Sequence, residues 1–266
     1  MASNLKDLAY RSILRQIEKG GYPPGAFLPE VALARDLGMS RGPVREAVAR
    51  LQSEGYLEQV LGRGSYVRLP DPKELEDIYQ FREWLECAAV AEVATARRPG
   101  PALELRACHA RMADLARAVQ ACGSDLEQTA LYQRFRAEDA DMHGILLRAV
   151  GNEEVTKVVA KLRLLTRVFS SCKEDPAESI PSRTERTLAE HQQVIAAIEA
   201  GDAAAAAEAM RRHIRNGKRQ AMTSLAAYRS PPAEVAPAGH GDELGRHLST
   251  LRKYRPCAGH TAGALR

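Results

Sequence analysis

Apolar positions recur every three or four residues along most of the chain, the period of a helix with one buried face. Leu5, Leu8/Ala9, Ile13 and Ile17 mark such a face over residues 5–19, and Gly20-Gly21-Tyr22-Pro23-Pro24-Gly25 ends it. A short helix over 30–37 stops at Gly38. Another begins at Arg41, with Ser40 as its N-cap, Pro43 in its first turn, and Val44, Ala47, Val48 and Leu51 on one side. The period then changes. Leu57-Glu58-Gln59-Val60 and Ser65-Tyr66-Val67-Arg68 read as short strands around the tip Leu61-Gly62-Arg63-Gly64, a β-hairpin.

Leu69-Pro70-Asp71-Pro72 interrupts every regular pattern, so a domain boundary falls there. Beyond it the helical period returns. Ile78, Phe81, Leu85 and Ala88/Ala89 form one stripe, and further helices are expected over 103–120, 131–150, 153–169 and 187–200. Gly151 and Gly201 close two of these, and Asn152 and Asp202 cap the helices that follow. A loop is expected at 173–182. The Pro-, Ala- and Gly-rich residues 230–266 offer too little apolar surface to offset chain entropy and read as a disordered tail. The expected organisation is a mostly α protein: an N-terminal winged helix-turn-helix domain (1–70), then an all-α bundle (73–229).

Composition supports this. Hydrophobic residues make up 45% and aromatics only 5% of the 266 residues, which favours helix over sheet. There is no run of about 18 apolar residues and no apolar leader, so the expectation is a cytoplasmic protein without a membrane anchor. Five scattered cysteines without a C-x-x-C pair read as reduced thiols. Residues 1–70 hold 10 Lys/Arg against 7 Asp/Glu, while residues 71–229 hold 23 against 24. A mildly basic head on a near-neutral body is compatible with nucleic-acid binding.

The head carries more specific chemistry. Arg41 and Arg45 share the exposed side of the second helix of a helix–turn–helix, at the end such proteins put into the major groove. The planar guanidinium fork grips guanine edges or phosphates in pairs. A hairpin after that helix is a wing, and its Gly-Arg-Gly tip can approach a phosphate or the minor groove. Residues 28–68, and above all Ser40-Arg41-Gly42-Pro43-Val44-Arg45-Glu46-Ala47 with the upstream Tyr22-Pro23-Pro24-Gly25, resemble the winged-helix domain of the GntR family of bacterial transcription regulators. The resemblance implies contacts to double-stranded operator DNA from Ser40, Arg41, Gly42, Pro43 and Arg45, from the wing residues Gly62, Arg63 and Gly64, and from Arg35 to the backbone. Gly42 stands where a threonine is usual, and Val31 where many relatives carry arginine.

In the body, spacing singles out four residues. Asp139 and His143 lie at i, i+4 and face the same way. His191 and His213 are equidistant from the Gly201-Asp202 turn, so an antiparallel hairpin brings them to one height. Three imidazoles and a carboxylate suit a borderline divalent ion; on spacing alone, structural histidines remain the alternative. His109 has no matching partner and reads as structural. Residues 73–225 resemble the FCD ligand-binding domain of the FadR-like branch of the family, through Phe81-Arg82-Glu83-Trp84-Leu85-Glu86, Asp139-x-x-x-His143, Gly151-Asn152 and Glu190-His191 to His213-Ile214. The resemblance implies a metal held by Asp139, His143, His191 and His213, zinc foremost with nickel or manganese as alternatives. It also implies a small organic-acid effector, with Arg82 near the pocket. The expected function is that of a homodimeric, effector-controlled transcription regulator. A metal-dependent enzyme acting on a small carboxylic acid and an architectural DNA binder are the alternatives.

Overall fold

The structure, a computed structural model, describes residues 2–169 and 178–229. The segment expected to be a disordered tail lies outside them. The chain divides into two compact units after Leu69.

The first unit contains α1 (Ala2–Glu18), α2 (Glu30–Asp36), α3 (Arg41–Ser53), β1 (Leu57–Val60) and β2 (Gly64–Val67). The strands pair antiparallel, Leu57 opposite Val67 and Val60 opposite Gly64, and Phe27 adds a single bridge to Tyr66. The core is built from Ala9, Ile13 and Ile17 of α1, Leu33 of α2 and Val44, Ala47, Val48 and Leu51 of α3, with Leu57 and Val67 closing it. Leu5 and Leu8, expected on the buried face of α1, are instead exposed. That face runs through Ala9, Ile13, Leu14 and Ile17. Ser40 takes an extended N-cap conformation, but its hydroxyl makes no capping bond, so the expected cap is made by backbone geometry alone. Gly64 has φ +106°, and a Cβ there would stand 2.8 Å from the Phe27 ring, so the wing needs glycine at this strand start.

The second unit is helical throughout its described residues: α4 (Pro72–Ala96), α5 (Pro99–Ala121), α6 (Asp125–Val150), α7 (Glu153–Phe169), α8 (Ile180–Ala200) and α9 (Ala203–Arg229). α6 packs against α4, α5, α7 and α8. The expected caps form: Asn152 Oδ1 accepts from the amides of Glu154 and Val155 at 3.1 Å, and Asp202 Oδ1 from Ala205 at 2.9 Å. Three helices start earlier than the apolar pattern indicates. α5 begins at Pro99 and α6 at Asp125, ahead of the first apolar stripe. α8 begins at Ile180, inside the expected loop, because Ser179 caps it and Pro181 fits its first turn.

The α4 stripe is also phased differently. Ile78 and Ala89 are buried, but Phe81 is exposed. Arg82 and Glu86 occupy the inward positions, each no more than 5% exposed. At the level of Arg82 and Glu86 the interior that α4 faces is polar, so a pattern built on apolar residues misses that turn.

Candidate metal centre and DNA interface

On the head, Arg35, Arg41, Gly42, Arg45, Gly62 and Arg63 are exposed, as is Ser40. Pro43 and Gly64 are half-buried. Arg35 pairs with the adjacent Asp36 at 3.2 Å. Among the described residues Arg41, Arg45 and Arg63 make no ion pair, whereas Arg50 on the same helix is bonded to Asp7 and Glu54. The guanidinium groups at the start of α3 and at the wing tip are thus available to an outside partner.

In the body, α6, α8 and α9 bring the four predicted ligands together. The donor atoms of Asp139, His143, His191 and His213 all lie within 4.8 Å of one another. His143 and His191 are essentially inaccessible. Carboxylates behind the rings set their orientation. His143 Nδ1 is 2.5 Å from Glu86 Oε2, and His213 Nδ1 is 2.8 Å from Glu190 Oε2. Each carboxylate fixes the ring proton on Nδ1 and leaves Nε2 with a bare lone pair. These two Nε2 atoms face each other at 3.2 Å. Two lone pairs at that distance repel unless a cation or a shared proton lies between them. His191 Nε2 stands 3.2 Å from Asp139 Oδ1, yet neither of its ring nitrogens makes a hydrogen bond. Orphaned buried nitrogens next to a carboxylate are what a divalent ion would satisfy, so the residues present fit such a group.

Protonation states favour the same fit. Burial, aided by the positive charge of Arg163, lowers the His143 imidazole to about 3. Burial likewise lowers His191 to about 4. Burial opposes charge on Asp139, but Arg163 and the neighbouring imidazoles outweigh it and hold the carboxylate well below its usual range. Glu86 behaves in the same way beneath Arg82, His143 and Arg163. Neutral imidazoles beside ionised carboxylates are the forms that bind metal.

Arg82 does not form a surface bridge. Its Nε donates to Glu86 Oε1 at 2.7 Å and its Nη1 reaches Thr166 Oγ1 at 3.4 Å, both in the interior. Its nearest role is to hold the carboxylate that holds His143. His109 Nε2 donates to Leu188 O at 3.0 Å, a bond between two helices that fits the structural reading. Glu86, Glu190 and Arg163 join the site without having been expected from the sequence. Glu190 adjoins a predicted ligand and Glu86 follows Arg82 by one turn, which are usable signals; nothing in the local sequence marks Arg163.

A cavity of about 120 Å³ opens beside the cluster, bordered by Asp139, Glu190 and His213 and by the inward faces of α4 and α7. α6 presents Tyr132, Phe135, Arg136 and Asp139 to it, and α8 presents Arg183, Arg186, Thr187 and Glu190. Both sets are spaced i, i+3, i+4, i+7, one helix face each.

This fold and site have clear relatives. Residues 77–216 match the FCD domain, and residues 5–67 match the bacterial regulatory proteins of the gntR family. The chain belongs to the GntR family and carries an FCD domain as its body. It is 28% identical over 220 residues to a probable D-xylose utilization operon transcriptional repressor of Paenarthrobacter nicotinovorans, covering 80% of this chain and 85% of that one. An uncharacterized HTH-type transcriptional regulator of Agrobacterium vitis is 38% identical over 91 residues; the match covers 34% of this chain and spans about half (53%) of that protein. Among solved structures, E. coli McbR/YncC superposes with a TM-score of 0.65 at 21% identity, over 80% of this chain and 94% of that one, which shows the shared fold. The family is one of regulators, which sets aside the metal-dependent enzyme. Among the described residues no helix is long and apolar enough to cross a membrane.

Proposed function

We propose that the protein is a homodimeric transcription regulator whose affinity for operator DNA is controlled by a small organic acid bound at a divalent ion, most readily zinc, in the FCD domain. The observation that carries the control site is the pair of facing His143 and His213 Nε2 atoms, with both Nδ1 atoms already committed to carboxylates. Asp139, His143, His191 and His213 would hold the ion. The bound ion would offer a positive coordination position to a ligand carboxylate. Glu86 and Glu190 orient the imidazoles, Arg82 anchors Glu86, and Arg163 supplies positive charge beside Asp139.

On the head, Arg41 and Arg45 at the start of α3 read the operator, with Ser40 and the Gly62–Gly64 wing tip against the backbone. Arg45→Ala should weaken specific binding by about 1–3 kcal/mol if the guanidinium contacts a base. Gel-shift titration of the folded variant measures this, and full affinity in both Arg41→Ala and Arg45→Ala overturns the assignment. A single winged helix makes few contacts, and a two-fold pair matches two half-sites about one helical turn apart. Light scattering is therefore expected to give about twice 29.1 kDa. A monomeric mass with and without DNA contradicts the reading.

A further inference from the structure

The cavity beside the donor cluster has two ends, and three helices set their separation. Seven residues along each helix lead from Asp139 to Tyr132, from Glu190 to Arg183 and from His213 to Gln220. All six residues border the same cavity. Seven residues of helix rise by about 10 Å. The far level is a real cluster. Arg183 Nη1 lies 3.4 Å from the Tyr132 hydroxyl, and the Gln220 carboxamide lies against the same guanidinium.

Both ends carry a buried guanidinium. At the near end the Arg163 side chain is only 9% exposed. Its Nη2 donates to Asp139 Oδ2 at 2.7 Å, while Nε and Nη1 make no hydrogen bond, Nη1 standing 3.5 Å from Glu86. At the far end Arg183 is equally buried, and its bonds to Tyr132 and to Glu178 O are 3.4 and 3.3 Å. Those are longer than the usual ~2.9 Å, and the guanidinium's closer partner is the Gln220 carboxamide oxygen, a neutral acceptor over which an incoming carboxylate has the advantage of charge. Charge points the same way. Arginines 82, 136, 163, 167, 183 and 186 line the cavity. Among the described residues the carboxylates on it or bonded to those arginines are Asp139, Glu190, Glu86 and Glu178. A divalent ion would add further positive charge to this lining.

We propose that this cavity selects a short dicarboxylate, with one carboxylate at the donor cluster beside Arg163 and the other on Arg183 at the Tyr132–Gln220 level. This rests on the acid-binding reading above and names the class of acid. Carbon–carbon bonds of about 1.5 Å make a chain of roughly four to six carbons the right length, once the side chains at each end reach inward. A monocarboxylate of the same length leaves Arg183 unanswered, and a single-centred anion such as phosphate cannot occupy both ends. The guanidinium fork matches a carboxylate edge in two parallel bonds.

The test is calorimetric titration of the full-length, zinc-loaded protein with succinate, glutarate, butyrate and inorganic phosphate. Succinate or glutarate is expected to bind at least about tenfold more tightly than butyrate, a difference of about 1.4 kcal/mol. Arg183→Gln should bring the diacid-to-monoacid ratio close to one while butyrate affinity stays within about twofold, and Arg183→Lys should restore part of the preference. Gln220→Glu, nearly isosteric and able to quench the Arg183 charge, should do the same as Arg183→Gln if that variant folds poorly. Equal binding of succinate and butyrate, tighter binding of phosphate than of either diacid, or an equal loss of both acids in the variants overturns the dicarboxylate subsite and leaves the acid-binding reading standing. If none of the four probes binds, both fail.

Discussion

Protein purified with His213 replaced by alanine is expected to lose its metal on dialysis, retaining well under one ion per chain where the parent retains close to one. The argument is geometric. His213 Nε2 faces His143 Nε2 at 3.2 Å, so its removal deletes one of four donors and one wall of the space between them. It also strips Glu190 of the imidazole it bonds, leaving a buried carboxylate with Arg186 and Asn216 as its remaining partners. Partners behind a ligand are worth about 10–100-fold in metal affinity, and a ligand itself is worth more. Glu190→Gln should therefore lose about 10–100-fold and His213→Ala more than that. Elemental analysis and competition against a chelator give both numbers. The response to organic acids should fall with the metal in the same order. Stoichiometric retention of zinc, nickel and manganese in both variants would show that the cluster is a structural packing of histidines.

Acid should destabilise the metal-free protein well before ordinary carboxylates titrate. His143 is lowered to about 3 and His191 to about 4, against about 6.5 in an unfolded chain. Between pH 6.5 and 4 the unfolded state therefore binds protons that the folded state refuses, so stability falls as pH drops through that window. Each tenfold change in proton affinity corresponds to about 1.4 kcal/mol, so the two rings together amount to several kcal/mol. Asp139 and Glu86, both held below the ordinary carboxylate range, extend the same trend to lower pH. For a body of this size the midpoint should fall by roughly 10 °C from pH 7 to pH 4.5. Scanning calorimetry of chelator-treated protein measures it. A flat profile over that range would mean that these imidazoles do not stay neutral in the fold. The pH dependence of metal binding should also be displaced. An unshifted imidazole predicts loss through pH 6.5, whereas His143 and His191 stay deprotonated at considerably lower pH.

The parts of this molecule that were legible in its sequence are those with local causes. Asn152, Gly151, Gly201 and Asp202 act on their own helix ends, and the structure shows them doing so. The pairing of His191 with His213 followed from counting residues about a turn, because two helices joined by two residues must run antiparallel. The hairpin tip at Gly62–Gly64 was legible for the same reason. The phase of α4 was not. Phe81 looked like core and is exposed, while the buried Arg82, expected near the pocket only through the family resemblance, takes the inward position because the interior at that level is polar. Whether an interior is polar depends on α6 and α7, remote in sequence. Arg163 was invisible for that reason: only the packing of α7 on α6 turns an ordinary basic residue into the partner of Asp139.

The depth of the donor cluster has a consequence for time. His143 and His191 are shut off from solvent, while Asp139 and His213 border the cavity, so an ion seated among them would leave only through that cavity and only after its bonds to four side chains give way, a slower event than the coming and going of a small solute. An acid in the cavity would share at most one coordination position of that ion and so faces a much smaller barrier to leaving. Metal and acid would then report on different clocks. The ion would record the supply prevailing when the protein was made, and the acid would follow the changing pool of the moment. A regulator built this way averages over one signal and tracks the other, even though both are held by the same few side chains.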